Sequence, residues 1–300
     1  MTIDRTDAPA AFDWTSLLMG VAFAAMWSSA FTSARIIVAD APPLTTLALR
    51  FLLSGLIAVG IARAQGQTWR LTREQWRATA VFGVCQNALY LGLYFMAMRT
   101  VEASLAAIVA SSLPLWVAAA GRVFLGQRVA RIGLLGLAAG LAGVGLVMGG
   151  RLAAGSDPGG VLLCAMGVFA LAMATLSVRG AASGGNVLMI VGLQMLIGAA
   201  ALGVAGVFED HAVRMSWTLV AAFLYTTLIP GLAATFVWFL LVGRIGAVRA
   251  ASFHFLNPFL GVAIAALVLG EAIGGLDLLG VVVIAAGILL VQRSRVTGAA

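Results

Sequence analysis

Apolar runs long enough to cross a bilayer recur along the whole 300-residue chain, with short connections between them. A helix needs about 20 mostly apolar residues to span roughly 30 Å of hydrocarbon. Ten stretches have this length, near residues 14–38, 43–63, 74–98, 102–123, 131–150, 158–180, 186–208, 215–242, 247–269 and 274–292. Because 62% of the residues are hydrophobic and only 10% are charged, a soluble domain is excluded. The sequence therefore predicts an all-α membrane protein with ten transmembrane helices.

The 18 basic residues are all arginines, and their positions predict how the chain is oriented. If the N-terminus lies in the cytoplasm, 13 arginines fall on cytoplasmic segments and 4 on outer loops, while Arg50 lies within the second helix. Cytoplasmic loops of membrane proteins carry such an excess of positive charge. We therefore expect a multi-pass protein of the cell inner membrane, in contact with lipid, with both termini cytoplasmic. Since the arginines are dispersed over short loops, we expect no nucleic-acid partner.

The second half of the sequence repeats the first at an offset of 144 residues. Pro114 then aligns with Pro258, and the alignment holds from the second helix to the tenth through prolines and glycines. We interpret the chain as two repeats, residues 1–150 and 151–300. Each repeat contains five helices, and because five is odd, the second repeat enters the membrane in the opposite orientation. Transporters place their substrate site between two such inverted halves, which predicts a central cavity.

Four motifs carry a resemblance to a known family. They are "MWSSAF" in helix 1, "LALRFLLSG" in helix 2, a proline followed by Leu-Gly in helices 4 and 9, and "LGEAI" at 269–273. In these motifs the chain resembles the drug/metabolite transporter superfamily, and within it the EamA-type, YddG-like exporters of aromatic amino acids and methyl viologen. The resemblance implies that residues 1–150 and 151–300 are EamA-type repeats. It also implies a basket of helices 1 to 4 and 6 to 9 around a central cavity, with helices 5 and 10 at the periphery.

Polar residues on helix 9 are candidates for substrate binding. His254, Asn257 or Pro258, and Gly261 share one face at helical spacing. Polar groups inside a bilayer avoid lipid, so this face is expected to point toward a cavity or a neighbouring helix. A buried structural hydrogen bond is the alternative. Ser111 of helix 4 is a further candidate; paired with His254 as nucleophile and base, it also forms the basis of an intramembrane-enzyme alternative.

An aromatic and polar stripe on helix 3 is the second group of candidates. Gln86, Tyr90 and Tyr94 follow one face, and the repeat aligns Tyr94 with Trp238 of helix 8. Trp27 and Ser28 belong to the helix 1 motif that carries the family resemblance. Together these residues predict an aromatic lining for a flat apolar or cationic guest. Ordinary packing, or a face exposed to lipid, is the alternative.

Three prolines, Pro114, Pro230 and Pro258, lie near the middles of helices 4, 8 and 9. Each removes a backbone donor and frees a carbonyl of the preceding turn. Such breaks are tolerated where they are buried in protein or face water. We expect these prolines to act as hinges or to supply carbonyls to a substrate ammonium group, with packing kinks as the alternative.

Arg50 is the one basic residue in the interior of a predicted helix, and two interpretations of it are open. It can engage a substrate carboxylate, or it can extend along its long stem to backbone or headgroups of the outer leaflet. The second is favoured because Arg50 lies about seven residues from the predicted outer end of helix 2.

The residues that the chain lacks restrict the mechanism. No aspartate or glutamate lies deep in a predicted helix, whereas proton-coupled multidrug carriers usually need an embedded carboxylate. At that depth His254 is the one group that titrates usefully, so we expect uncoupled flux or weak coupling through His254. The two histidines and two cysteines do not form a metal or redox motif, and we expect no metal, no cofactor and no catalytic residue.

The glycine spacing of helix 5 bears on oligomeric state. Gly136 and Gly140 have GxxxG spacing, which allows helices to approach closely. Packing within the monomer is the plain interpretation, and a homodimer seam formed with helix 10 is the alternative.

The sequence as a whole predicts a secondary exporter that moves amino acids, chiefly aromatic and other neutral ones, by alternating access. Related small metabolites or flat cationic drugs are further expected substrates. The alternatives are a sugar-phosphate-type carrier of the same superfamily, a channel, or an intramembrane enzyme. A phosphate-binding site calls for several interior cations, and the chain offers Arg50 alone.

Overall fold

The computed structural model describes residues 13–126, 128–177, 186–245, 250, 252–293 and 296–297. The helices are α1 Trp14–Asp40, α2 Pro43–Ala64, α3 Arg73–Ala97, α4 in two pieces Ala103–Ser111 and Leu113–Leu125, α5 Arg131–Ala153, α6 Pro158–Ser177, α7 Val187–Gly206, α8 Trp217–Ile245, α9 Asn257–Leu269 and α10 Gly275–Arg293. A 3-10 turn, Ser252–Leu256, precedes α9. Two-residue strands Arg128–Val129 and Val296–Thr297 pair in antiparallel fashion.

The predicted number of membrane spans is confirmed in part. Among the described residues, eight helices, α1 to α8, are long and apolar enough to cross a bilayer, and Asn257–Leu269 and Gly275–Leu290 form shorter apolar helices. Residues 178–180 of the sixth predicted span and 247–249 and 251 of the ninth lie outside the described residues. Both chain termini also lie outside them, so ten spans with cytoplasmic termini stay a prediction.

Two helices contain π-helical turns at positions 144 residues apart. Gly83–Tyr90 is the π-helical part of α3, and Thr227–Ala233 is the π-helical part of α8. Pro230 lies inside the second of these segments, and its missing N–H interrupts the α-helical hydrogen-bond ladder. Single π-helical turns inside α-helices occur frequently at functional sites, so both segments are candidates for functional positions.

The second piece of α4 and helix α9 match each other at the same offset. Both contain 13 residues, and both have a proline, Pro114 or Pro258, in their second position. Both end at a left-handed glycine, Gly126 with φ 62° and Gly270 with φ 70°. A left-handed glycine closes a helix without the steric cost that a Cβ atom brings. The two prolines therefore begin helical pieces and do not bend continuous helices.

Helix α1 lies in the middle of the fold, where it contacts α3, α4, α8 and α9. The most extensive pairings are α2 with α7 and α5 with α10. Glycines allow α5 and α10 to approach closely, since a Cβ atom on Gly287 would lie 2.6 Å from the Cα atom of Gly140. The glycine-rich face of α5 is thus covered within the chain. The plain packing interpretation is confirmed, and the alternative of a dimer seam built from these glycines is wrong.

Side-chain contacts close both ends of the helix bundle. At one end, which we call the Glu271 end, Glu271 accepts hydrogen bonds from the backbone N–H groups of Ala103 and Ser104. At the same end Arg151 bridges Asp277, with Nη2 to Oδ2 at 2.6 Å, and Glu102. At the opposite end, which we call the Asp13 end, Arg244 Nε donates to Asp13 Oδ2 at 2.9 Å. Each of these contacts joins segments that are distant in sequence.

Candidate functional site

Two small cavities lie in the centre of the bundle. The first, the Arg50 cavity, measures about 20 Å³ and is lined by Trp27, Ala30, Phe31, Ala34, Arg50, Phe51, Gln86, Asn87, Tyr90, Leu91, Tyr94, Phe95, Met98, Pro230 and Thr235. The second, the His254 cavity, measures about 10 Å³ and is lined by Phe23, Trp27, Gln86, Leu113, Leu171, Thr175, Thr235, Trp238 and His254. Trp27, Gln86 and Thr235 line both, so the two cavities are neighbouring parts of one region.

The size of these cavities identifies the conformation. A space of about 10–15 Å³ holds one water-sized group, whereas small-molecule sites usually measure hundreds of Å³. Contacts also close the bundle at the Glu271 end and at the Asp13 end. The structure is therefore a closed conformation in which the walls have collapsed onto one another, and a substrate requires these walls to move apart.

Arg50 is buried against α8. Its side chain is 3% exposed, its Nε donates to the Thr226 carbonyl at 2.9 Å, and its guanidinium lies 4.9 Å from the centroid of the Phe51 ring. The carbonyl is free to accept because Pro230, four residues later, has no N–H to donate. The expectation that Arg50 reaches the outer leaflet is wrong, since a linear count of depth could not show that a carbonyl of α8 lies beside it.

A second carbonyl of the π-helical segment in α8 is satisfied in the same way. Ser54 Oγ donates to the Thr227 carbonyl at 3.0 Å. Helix α2 thus supplies donors for two consecutive carbonyls, at Thr226 and Thr227, near the break that Pro230 makes. In this conformation these carbonyls bind side chains of α2, and they are not free for a substrate ammonium group.

His254 stands at the end of a short hydrogen-bond chain. Its Nδ1 lies 2.7 Å from Asn257 Nδ2, and Asn257 Oδ1 accepts from Ser28 Oγ at 3.3 Å. Because an amide nitrogen only donates, Nδ1 accepts, and the proton of the neutral imidazole lies on Nε2. Ser28 and Asn257 are buried behind His254 and orient the ring, which places the polar face of α9 against α1.

Aromatic rings surround the imidazole. The ring centroids of Trp238, Phe23 and Trp27 lie 5.1, 5.2 and 6.0 Å from that of His254. Interplanar angles of 66°, 84° and 89° make these contacts edge-to-face, an arrangement that aromatic rings favour. The His254 cavity is therefore an aromatic compartment with one titratable group.

Two tyrosines form the opposite wall. Trp27 and Tyr90 are parallel, with centroids 6.4 Å apart, and Tyr90 lies 4.6 Å from Tyr94. Both tyrosines are fully buried, and neither hydroxyl makes a hydrogen bond by distance and angle. Buried polar groups are nearly always paired, so two unpaired hydroxyls in the wall of one cavity indicate a site for a polar ligand.

The structure brings most of the predicted site residues together. Trp27, Gln86, Tyr90, Tyr94, Trp238 and His254 line one or both cavities, and so does Pro230. Ser111 is not among the lining residues, because its hydroxyl donates to the Ala107 carbonyl at 2.6 Å. Pro114 and Pro258 begin helical pieces away from both cavities. Tyr94 and Trp238, equivalent in the repeat, lie in different cavities.

Sequence reasoning missed Thr235, and the repeat contains a signal that finds it. Moving the helix 3 positions Gln86, Leu91 and Tyr94 forward by 144 residues gives the helix 8 positions Pro230, Thr235 and Trp238. All six residues line a cavity. Phe23 and Asn87, which also line the site, have no comparable signal, because one resembles any apolar helix residue and the other is adjacent to Gln86.

A model of the EamA-like transporter family matches residues 14–149 and again residues 158–293. The chain belongs to this family. It is therefore a multi-pass membrane protein of a transporter family, with a small molecule as substrate. The second match starts 144 residues after the first, at the offset read from the sequence.

Relatives of this EamA-like protein include transporters of several bacteria. "Uncharacterized inner membrane transporter YedA" of Escherichia coli (strain K12) is 27% identical over 93% of this chain and 91% of its own. "Uncharacterized transporter YvbV" of Bacillus subtilis (strain 168) is 25% identical over 89% and 88%. "Protein PecM" of Dickeya dadantii is 26% identical over 87% and 86%. A solved crystal structure with a TM-score of 0.68 and 20% identity covers 92% of this chain and 96% of its own, which shows the fold.

Proposed function

We propose that this EamA-like protein is a secondary transporter that exports neutral amino acids, chiefly aromatic ones, and related small metabolites. The observation that carries the proposal is the closed central site, in which Arg50 and two tyrosine hydroxyls lie at one side and an aromatic compartment lies at the other. Such a site is complementary to a small molecule with a polar head and an apolar body. The resemblance to YddG-like exporters in the sequence motifs agrees with this substrate class.

Alternating access is the mechanism that we propose. It requires two halves, residues 1–150 and 151–300, related as inverted repeats around the site. The support is local: the π-helical turns of α3 and α8, and the proline-started pieces of α4 and α9, recur at one offset. Opening toward one side then requires the contacts at that end to separate while those at the other end persist. Pro230, Pro114 and Pro258 mark the positions where the helices hinge.

The orientation and oligomeric state follow from the same proposal. The arginine distribution places both termini in the cytoplasm of the inner membrane, so the Glu271 end faces outward and the Asp13 end faces inward. The site lies within one chain, and we propose that the monomer is sufficient for transport.

We further propose that flux is uncoupled or weakly coupled to protons. Among the residues that line the two described cavities, none is a carboxylate, and His254 is the group that titrates near neutral pH. An organic cation is a poor substrate for this site, because Arg50 contributes a positive charge without a neighbouring carboxylate to balance it.

A sugar-phosphate-type carrier is the second candidate, and Arg50 is the observation in its favour. A phosphate ester carries up to two negative charges, whereas the described lining residues include one permanently charged cation. A single guanidinium matches a monoanionic carboxylate better than a dianionic phosphate. We therefore favour amino acids.

Counterflow in proteoliposomes tests the proposal. The purified chain is reconstituted, loaded with unlabelled solute, and exposed to labelled phenylalanine, tryptophan, leucine, glucose 6-phosphate or methyl viologen, with protein-free liposomes as control. We expect counterflow of the three amino acids and none of the phosphate or the dication. Absence of counterflow for every neutral amino acid would overturn the proposed function.

A further inference from the structure

Arg50 is a buried positive charge that the protein itself leaves without a counter-ion. Of its donors, Nε binds the Thr226 carbonyl. In the described part of the chain no carboxylate oxygen lies within 4.0 Å of its guanidinium nitrogens. The 11 acidic residues of the sequence all lie at helix ends, in connections or in the N-terminal segment. Because an unpaired buried charge is costly, a ligand that supplies a negative charge is favoured at this position.

The wall beside Arg50 offers further donors. The hydroxyl groups of Tyr90 and Tyr94 are buried, line the same cavity as Arg50 and have no hydrogen-bond partner. A phenolic hydroxyl donates readily to an anionic oxygen. One guanidinium and two hydroxyls in the wall of one cavity therefore provide what a carboxylate binds.

The region between the two cavities offers neutral polar groups. Gln86 and Thr235 line both cavities, are 5% and 4% exposed, and make no side-chain hydrogen bond to other described residues. Each has an oxygen that accepts a hydrogen bond. Beyond them lies the aromatic compartment of Phe23, Trp238 and His254. The sequence of environments is thus anion-binding, neutral polar and aromatic.

We propose that Arg50 binds the carboxylate of the transported molecule, with the hydroxyls of Tyr90 and Tyr94 as further donors. Gln86 and Thr235 accept from its ammonium group, and its apolar side chain occupies the aromatic compartment. The substrate class is α-amino acids with an apolar side chain, and the free carboxylate is the group that the site requires. This assignment rests on the proposed function, since it takes the central region as the transport site.

A comparison of an amino acid with its amide tests the assignment. The full chain is purified in nanodiscs, and isothermal titration calorimetry measures the affinities of phenylalanine and phenylalaninamide for wild type, Arg50→Gln, Arg50→Lys and Arg35→Gln. Arg35 is a matched control, because it also donates to a backbone carbonyl, that of Met98, but lies outside both cavities. The measured quantity is the ratio of the two affinities within each variant, which cancels general effects on stability.

We expect wild type and Arg35→Gln to bind phenylalanine about 10- to 100-fold more tightly than the amide, as a charged hydrogen bond implies. In Arg50→Gln the ratio falls to about 1, while Arg50→Lys, which keeps the charge without the planar fork, retains an intermediate ratio. An unchanged ratio in Arg50→Gln overturns the assignment. If that variant is not monodisperse, the ratio is read in Arg50→Lys, where a fall of about threefold or more supports it and no fall overturns it.

The two proposals fail differently in this experiment. If wild type exchanges phenylalanine in counterflow and Arg50→Gln keeps the preference for the carboxylate, the role of Arg50 is wrong and amino-acid transport stands. If wild type neither binds nor exchanges any neutral amino acid, the proposed function fails, and the assignment fails with it.

Discussion

The carboxylate of Glu271 binds the backbone at Ser104, where α4 begins. Its Oε2 accepts from the Ser104 N–H at 2.8 Å, and its Oε1 accepts from the neighbouring N–H of Ala103 at 2.9 Å. The first N–H groups of a helix have no partner within the helix, and a carboxylate there also interacts favourably with the helix dipole. The "LGEAI" segment that marks the family in the sequence therefore attaches the end of α9 to the start of α4.

Replacing Glu271 by glutamine should weaken the closed conformation. The amide keeps one acceptor but loses the charge that faces the helix N-terminus, so we expect a loss of about 1–2 kcal/mol in stability. Thermal unfolding in detergent measures this loss. Glu74→Gln is the matched control, because Glu74 lies in the first turn of α3 and is exposed. Equal melting temperatures for Glu271→Gln and Glu74→Gln would contradict the cap.

Much of the fold is visible in the sequence because its signals are local. Thr72 and Gln75 form the capping box that the "TREQ" pattern indicates, and α3 begins directly after Thr72. Pro158 opens α6, as a proline in the first turn suggests. These features depend on residues within one turn of each other, so no knowledge of tertiary structure is needed to find them.

The parts that sequence reasoning missed depend on contacts between distant segments. Arg50 is held by a carbonyl of α8 that is free because of Pro230, a relationship across 176 residues. Ser111 was expected in the site, yet its hydroxyl bonds its own helix at Ala107, as serines in helices often do. The π-helical segment Gly83–Tyr90 has no proline to mark it. Helical periodicity identifies which face is polar, but it does not determine where that face lies.

Thr235→Val tests the residue that the repeat reveals. The substitution removes the hydroxyl and nearly conserves shape, so we expect the KM for phenylalanine transport to rise about 2- to 10-fold, the value of a neutral hydrogen bond. Initial rates of labelled uptake provide the measurement. Thr79→Val is the control, because Thr79 is also buried in a helix, with its hydroxyl on the Gln75 carbonyl, but lines neither cavity. An effect of Thr79→Val as large as that of Thr235→Val would argue against a specific contact.

Trp238→Ala should change substrate preference. Trp238 forms a wall of the aromatic compartment, with its ring centroid 4.8 Å from that of Phe23. Its removal takes away contacts with the substrate side chain, so we expect the preference for phenylalanine over alanine in transport to fall about 10-fold. Trp238→Phe should retain most of the preference. If Trp238→Ala lowers transport of both substrates equally, the ring has a structural role and does not contact the side chain.

The contact between Asp13 and Arg244 should persist in mild acid. Hydrogen bonds from Arg244 and then Ser16 hold the pKa of Asp13 below its usual value of 3.8. A carboxyl whose folded-state pKa is depressed contributes stability above its unfolded pKa, and the contribution is lost as the pH falls through the folded-state value. Melting temperatures of wild type and Asp13→Asn should therefore differ equally at about pH 7 and about pH 5, and converge below about pH 3. Convergence already at pH 5 would contradict the shift.

Access to Thr235 from the two sides of the membrane tests the central claim most directly. A single cysteine at Thr235, in a chain with Cys85 and Cys164 replaced by alanine, is treated with a membrane-impermeant thiol reagent from either side of oriented vesicles. The account predicts labelling from both sides and a reduced rate from each side when phenylalanine is present. Labelling from one side only, or rates that phenylalanine does not change, would contradict a central amino-acid site with alternating access.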